Sequence, residues 1–234
     1  MSNPWFQFKQ FRIEHDRCAM KVGTDGVLLG AWAPLHDGMT ILDVGTGSGL
    51  IALMLAQRFP SSHILGIDID KSAVEQAQQN VAASPFVHQV TIQHTAFQDL
   101  SEPHETFDAV VCNPPFFEET LLPPDAGRSA ARHTTSLSFN ELICGAARVL
   151  KTGGSFCVIL PTQAFESFHL QCFSFGFMLE HRCAVQTSSK RSPKRTMASF
   201  RKNIEVSRFD EQLILTEGGQ RSKAYQQLTG DFYL

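Results

Sequence analysis

Apolar residues come in short runs that alternate with longer amphipathic stretches. Ile41–Val44, Ile64–Asp68, Val90–His94 and Phe107–Cys112 are runs of strand length, whereas Leu50–Phe59 and Lys71–Ala83 carry apolar positions at helical spacing. Phe139–Leu150 reads as a helix that Lys151-Thr-Gly-Gly154 breaks; Ser155–Leu160 follows as a strand and Thr162 to about Phe175 as another helix. Strand and helix alternating at this pitch predict a parallel sheet covered on both faces. Met178–Thr187 and Met197–Ser207 have no helix between them, which predicts an antiparallel hairpin closing the sheet. No repeat, low-complexity tract or Ser/Gly linker interrupts the series, and Glu118–Ser136 is the longest loop-like stretch.

With 234 residues, 43% hydrophobic and 18% charged, the chain suits one domain with a large core that needs neither metal nor disulfide. No run approaches the ~18 apolar residues of a membrane span and no leader pattern opens the chain, so a cytoplasmic protein is expected. The six cysteines lack metal-ligand spacing and read as reduced, structural thiols; no metal is expected. A net charge of −3 excludes blanket affinity for nucleic acid, which makes the distribution of charge matter more than its total. Between Ser188 and Lys202 stand Lys190, Arg191, Lys194, Arg195, Arg201 and Lys202 with no acid among them. That cluster falls at the tip of the expected hairpin, where a solvated turn and an RNA-docking patch are the two readings.

Chemistry concentrates in two loops. Asp43-Val-Gly-Thr-Gly-Ser-Gly49 follows a strand and opens a helix, the place where a doubly wound sheet binds a nucleotide-like ligand. Gly45, Gly47 and Gly49 admit close backbone approach, and the loop amides are expected to reach a polar ligand end. Asp68, 25 positions after Asp43, ends the next strand where a ribose is gripped. The spacing is GxGxG, and an Asp at its head repels a pyrophosphate but suits the positive methionyl amine of S-adenosyl-L-methionine. Asp70 reads as the cap of the following helix.

The second loop is Asn113-Pro-Pro-Phe116, directly after Phe107–Cys112 and on the same sheet edge. A plain turn is one reading. The other is catalytic. An exocyclic base amine is a poor nucleophile because its lone pair is delocalised. The Asn113 side-chain oxygen and the Pro114 carbonyl can accept its hydrogens and favour tetrahedral nitrogen, while Phe116 offers a stacking face.

Over Gly38–Pro161 these residues resemble the class I methyltransferases. The resemblance implies a Rossmann-like core with a mixed seven-stranded sheet, helices on both faces and an antiparallel C-terminal hairpin. It implies that Asp43 and the loop glycines face the methionine part, Asp68 the ribose and Ile69 the adenine ring, and that Asp99 accepts from the adenine amine. The Asn113–Phe116 tetrapeptide resembles that of amino-methyltransferases acting on adenine, on guanine, or on a glutamine side-chain amide. The glutamine enzymes carry a helical domain before the glycine loop, where this chain has 42 residues. The guanine enzymes of ribosomal RNA often carry two copies of the domain. A scaffold that binds cofactor without catalysis is the non-enzymatic alternative, against which the intact tetrapeptide weighs.

Phe6–Ile13, Met20–Gly30, Arg128-Ser-Ala-Ala-Arg-His133 and Asp231–Leu234 extend the resemblance to bacterial tRNA adenine methyltransferases, which act on the adenosine beside the anticodon of a valine tRNA. Residues 1–37 are then an N-terminal extension over the cofactor site and 38–234 the core. The resemblance brings Lys21 and Thr24 to the cofactor, although Thr24 also reads as a helix cap. Arg128, Arg132 and His133 sit in a polar loop and are RNA-contact candidates; a solvated loop is their alternative. The phenylalanines Phe165, Phe168, Phe173, Phe175 and Phe177 read as core.

Overall fold

The structure is a computed structural model describing residues 3–18, 21–114 and 137–234. A ribbon of β1 (Trp5–Gln7) and β2 (Arg12–Glu14) leads into α1 (Thr24–Trp32). Next come β3 (Thr40–Val44), α2 (Leu50–Arg58), β4 (His63–Asp68), α3 (Lys71–Ala82) and β5 (Val90–His94). A 3-10 turn at Phe97–Asp99 precedes β6 (Phe107–Cys112). Beyond residue 136 follow α4 (Phe139–Val149), β7 (Leu150–Pro161) and α5 (Thr162–Ser174). The chain then runs through β8 (Phe177–Ser188), β9 (Arg195–Lys202), β10 (Phe209–Glu217), β11 (Gln220–Arg221) and α6 (Lys223–Thr229).

The main sheet has the order β11-β10-β8-β9-β7-β6-β3-β4-β5. Strands β5, β4, β3, β6 and β7 are parallel; β9 pairs antiparallel with both β7 and β8, forming the expected hairpin. Nine strands stand where seven were expected. The additional pair arises because Phe209–Glu217 lies parallel to β8 and covers its free backbone groups, leaving the two-residue β11 as the edge. Strand β7 also starts earlier than expected: Lys151–Gly154 is absorbed as a register shift opposite Phe107 and Ala109, with Gly153 at φ 76°.

Alternation along the central strands builds two cores. Ile41, Ala109, Val111, Cys157 and Ile159 face one side, with α1, α2, α3 and the aromatic residues of the ribbon. Leu42, Val44, Val110, Cys112, Phe156 and Val158 face the other, with α4 and α5. Helix α3 buries Ala73, Val74, Ala77 and Val81 at 3.6-residue spacing and starts on Asp70, whose Oδ1 accepts from the Ser72 amide at 2.8 Å. Helix α4 opens on a capping box, Ser138 with Glu141. Phe165, Phe168 and Phe177 are core, whereas Phe173 falls off the 165–168–172 stripe and is exposed. All six cysteines are free thiols. Among the described residues, no helix is long and apolar enough to cross a membrane.

Candidate active site

The chain leaves β3 for β4 and β5 on one side, then returns to β6 on the other, so a crevice opens over the carboxyl ends of β3 and β6. It is a cavity of about 860 Å³, within the range of small-molecule sites. Of the residues expected at a cofactor, Lys21, Thr24, Gly45, Gly47, Asp68, Ile69, Asp99 and Asn113 line it; Asp43 and Gly49 do not.

Gly45 and Gly47 adopt φ 70° and 56°, and a Cβ on either would meet nothing within 4 Å, so open space reaches the backbone here. Gly49 serves differently. At φ 83° it caps α2, and a Cβ would abut that of Ala77 at 3.4 Å. The loop amides expected to meet a ligand are mostly engaged. Those of Gly45 and Thr46 donate to the Ile67 carbonyl, Gly49's to the Thr46 carbonyl and Gly47's to Asp68 Oδ2, each at 2.9 Å.

Asp43 lies fully buried beneath this loop. Its Oδ2 accepts from the Thr46 hydroxyl at 2.7 Å, while its Oδ1 is buried with no well-formed hydrogen bond among the described residues. Burial pushes its carboxyl up to about 7; the Thr46 hydroxyl and the nearby Ala52 amide oppose the rise and neighbouring Asp68 adds to it. Asp68 uses one oxygen for Gly47 and the other for the Asp70 amide, both at 2.9 Å. A carboxylate has about four acceptor sites, so it keeps capacity toward the cavity. Ile69 is 55% exposed there, an apolar face beside polar neighbours. Asp99 enters from the 3-10 turn.

Residues Cys18 and 21–26 form the remaining wall. Two amides of α3, each almost fully buried, hold the chain leading into it. Gln76 Oε1 accepts from the Arg17 amide and the Cys18 thiol, and Asn80 joins Glu14 to the glycine loop. The Cys18 thiol is pushed up to about 11, chiefly by burial. Thr24 is the first residue of α1; the cap position falls on Gly23, so Thr24 does not cap the helix. Neither Gln76, Asn80 nor the cavity-lining Glu141 emerges from the sequence reading. Glu141 carries a legible signal, the Ser-x-x-Glu box, whereas a buried amide on a helix carries none.

Asn113 leaves the carboxyl end of β6 and lines the cavity, and its Oδ1 is buried with no hydrogen-bond partner among the described residues. Such an orphaned acceptor costs about 1–3 kcal/mol unless something supplies a donor. Pro114 beside it is buried. Pro115, Phe116, Arg128, Arg132 and His133 lie outside the described residues.

Register places Arg195 opposite Pro161, so the hairpin tip sits on the sheet edge that holds the cavity. Lys190, Arg191 and Lys194 are exposed at that tip. The rest of the basic cluster is used internally. Arg195 pairs with Asp25 at 2.7 Å. At the far end of β9, Arg201 pairs with Glu180 at 3.1 Å, and Lys202 donates to the Leu150 carbonyl at 2.6 Å. Among the described residues, no group of three or more His, Cys, Asp or Glu side chains converges as a metal site.

Residues 22–174 match the methyltransferase small domain family. Relatives include tRNA1(Val) (adenine(37)-N6)-methyltransferases from Phocaeicola vulgatus, 45% identical over 100% of this chain and 99% of the relative, and from Salmonella typhi, 42% identical over 98% and 94%. Among solved structures the fold is similar to that of a predicted O-methyltransferase from Agrobacterium tumefaciens, with TM-score 0.72 and 17% identity over 89% of this chain and 96% of that one. It is also similar to a TehB-like SAM-dependent methyltransferase from Corynebacterium glutamicum, with TM-score 0.51 and 19% identity over 77% and 89%. The structural likenesses speak for the fold. The family match and the end-to-end relatives together establish that the chain belongs to the methyltransferase small domain family.

Proposed function

We propose that the protein transfers a methyl group from S-adenosyl-L-methionine to the 6-amino group of an adenosine in tRNA, the one beside the anticodon of tRNA(Val). The observation that carries this reading is the buried Oδ1 of Asn113 at the cavity's edge, which has no donor among the described residues. A buried acceptor with no donor among the described residues suits a donor that arrives with the substrate, and an exocyclic amine is such a donor. The full-length relatives named for adenine-N6 methylation of tRNA1(Val) support the choice of base and RNA.

The cavity fits the cofactor. Open space at Gly45 and Gly47 suits its methionyl part, the spare acceptor capacity of Asp68 suits a ribose diol, and Ile69 suits the face of an adenine. When bound, S-adenosyl-L-methionine supplies an electrophilic methyl carbon. Asn113 Oδ1 and the Pro114 carbonyl then accept the two amine hydrogens and hold the nitrogen lone pair toward that carbon; proline contributes no competing N–H. By its motif position Phe116 stacks on the flipped base. After transfer the methylated nitrogen carries a positive charge and gives up its extra proton to solvent water. Lys190, Arg191 and Lys194, on the same sheet edge, meet tRNA phosphates. A tRNA substrate supports the cytoplasm as the compartment.

The test is to incubate the protein with labelled cofactor and total RNA from a strain lacking it, then to identify the modified nucleosides. N6-methyladenosine confined to one tRNA supports the reading. Methylguanosine, or label in protein, overturns it.

A further inference from the structure

Arg195 marks a division in the basic cluster of 188–202: before it the basic side chains are exposed at the tip, and from it onward they are paired within the fold. Its Nε donates to Asp25 Oδ2 at 2.7 Å, bridging residues 170 apart in sequence, while its Nη1 donates to the Lys194 carbonyl at 3.1 Å. Asp25 lies in the first turn of α1 and lines the cavity between Thr24 and Gly26. At Gly26 that turn packs tightly on α2 just beyond the glycine loop: a Cβ there would meet Leu50 Cδ2 at 3.0 Å. The opposite end of this wall is fastened by Gln76 to Arg17 and Cys18. Arg195 therefore grips the end of the wall remote from the α3 amides. Both ion-pair partners are only about a third exposed, so the pair is better shielded than one on the open surface.

We propose that Arg195 is a positioning residue for the cofactor cavity, acting through Asp25 on the first turn of α1, and that phosphate docking is left to Lys190, Arg191 and Lys194. The proposal rests on the cofactor reading above. It makes the first residue of β9 part of the cavity's scaffold and leaves only the turn before it as an RNA surface.

The experiment measures S-adenosyl-L-methionine affinity by calorimetry without RNA, for wild type, Arg195→Gln, Asp25→Asn, the double variant and Arg195→Lys. Each of the first two single variants should weaken binding about three- to fivefold, the scale of one partly buried ion pair. The double variant should be no worse than the weaker single one, and Arg195→Lys should recover most of the loss. Thermal midpoints are recorded alongside, because Asp25 also stabilises the helix start by its charge; non-additivity in affinity isolates the pair from that effect. In parallel, the salt dependence of tRNA binding by Arg195→Gln should match wild type. An unchanged cofactor affinity, additive losses, or a salt slope reduced by about 0.7–0.9 would overturn the proposal, the last by making Arg195 a phosphate ligand. Absence of binding by the wild type would overturn the cofactor reading, and this one with it.

Discussion

Asn80 in α3 and Ser48 in the glycine loop are joined at 2.9 Å, the Asn80 Nδ2 donating to the Ser48 carbonyl. The same amide binds Glu14 on both sides, accepting from its N–H and donating to its carbonyl, each at 2.9 Å. One side chain thus locks three segments that are distant in sequence. Replacing it by Ala strands buried backbone groups at a cost of about 1–3 kcal/mol, which lowers the thermal midpoint by roughly 2–10 °C and weakens cofactor binding. Asn80→Asp should be at least as harmful, because it sets a carboxylate against two carbonyl oxygens. Calorimetric melting of both variants checks the order.

Asn113→Ala should leave cofactor affinity near that of wild type while turnover falls by a factor on the order of 100 or more, since the acceptor acts on the amine as it reacts. Equilibrium titration and single-turnover methylation of tRNA separate the two effects. Near-normal turnover would remove Asn113 from the chemistry.

Asp43 sets a pH dependence. Its folded carboxyl, pushed up to about 7 from 3.8, keeps a proton that the unfolded chain releases. The folded state binds more protons in that window, so this residue's contribution to stability declines as pH rises from about 4 through about 7. Between pH 5 and 7.5 the wild type should lose roughly 2 kcal/mol more than Asn at this position loses. Urea denaturation of wild type and Asp43→Asn at both pH values gives the comparison; parallel losses would mean that Asp43 is ionised in the folded protein.

Replacing Lys190, Arg191 and Lys194 together by Ala should weaken tRNA binding and reduce its log–log salt slope by about 0.7–0.9 for each phosphate that a side chain no longer neutralises. The tip groups do not line the cavity, so cofactor affinity should stay constant. Binding isotherms across a salt series supply the slope, and a slope equal to wild type would assign these charges to solvent.

What is legible in the sequence follows from locality. The alternation of Ile41–Val44, Leu50–Phe59 and Ile64–Asp68 announces the parallel core because each element buries its own residues, and Asp43, Gly45 and Asp68 are visible because the strand–loop–helix unit fixes their spacing. Pairings between distant segments leave no such trace. Nothing near Phe209 declares that β10 will cover β8, and nothing near Arg195 distinguishes a residue bound to Asp25 from Lys194, which is exposed next to it. Asp43 shows what spacing alone does not disclose. Its acidity is legible in the chain, whereas its burial beneath the loop that turns at Gly45 is not.

The first ribbon is closed by the other end of the chain. Lys9 donates to the Phe232 and Gly230 carbonyls at 2.8 and 2.6 Å, the latter across 221 positions, and Tyr233 packs its ring against Phe6 and Phe8. The ribbon leads into the wall formed by Cys18 and residues 21–26, so the C-terminal residues anchor the base of that wall from the opposite end of the sequence. Residues 230–233 therefore fix the start of the segment that walls the cavity without lining the cavity themselves, so a substitution at Tyr233 acts on the cavity only through the ribbon.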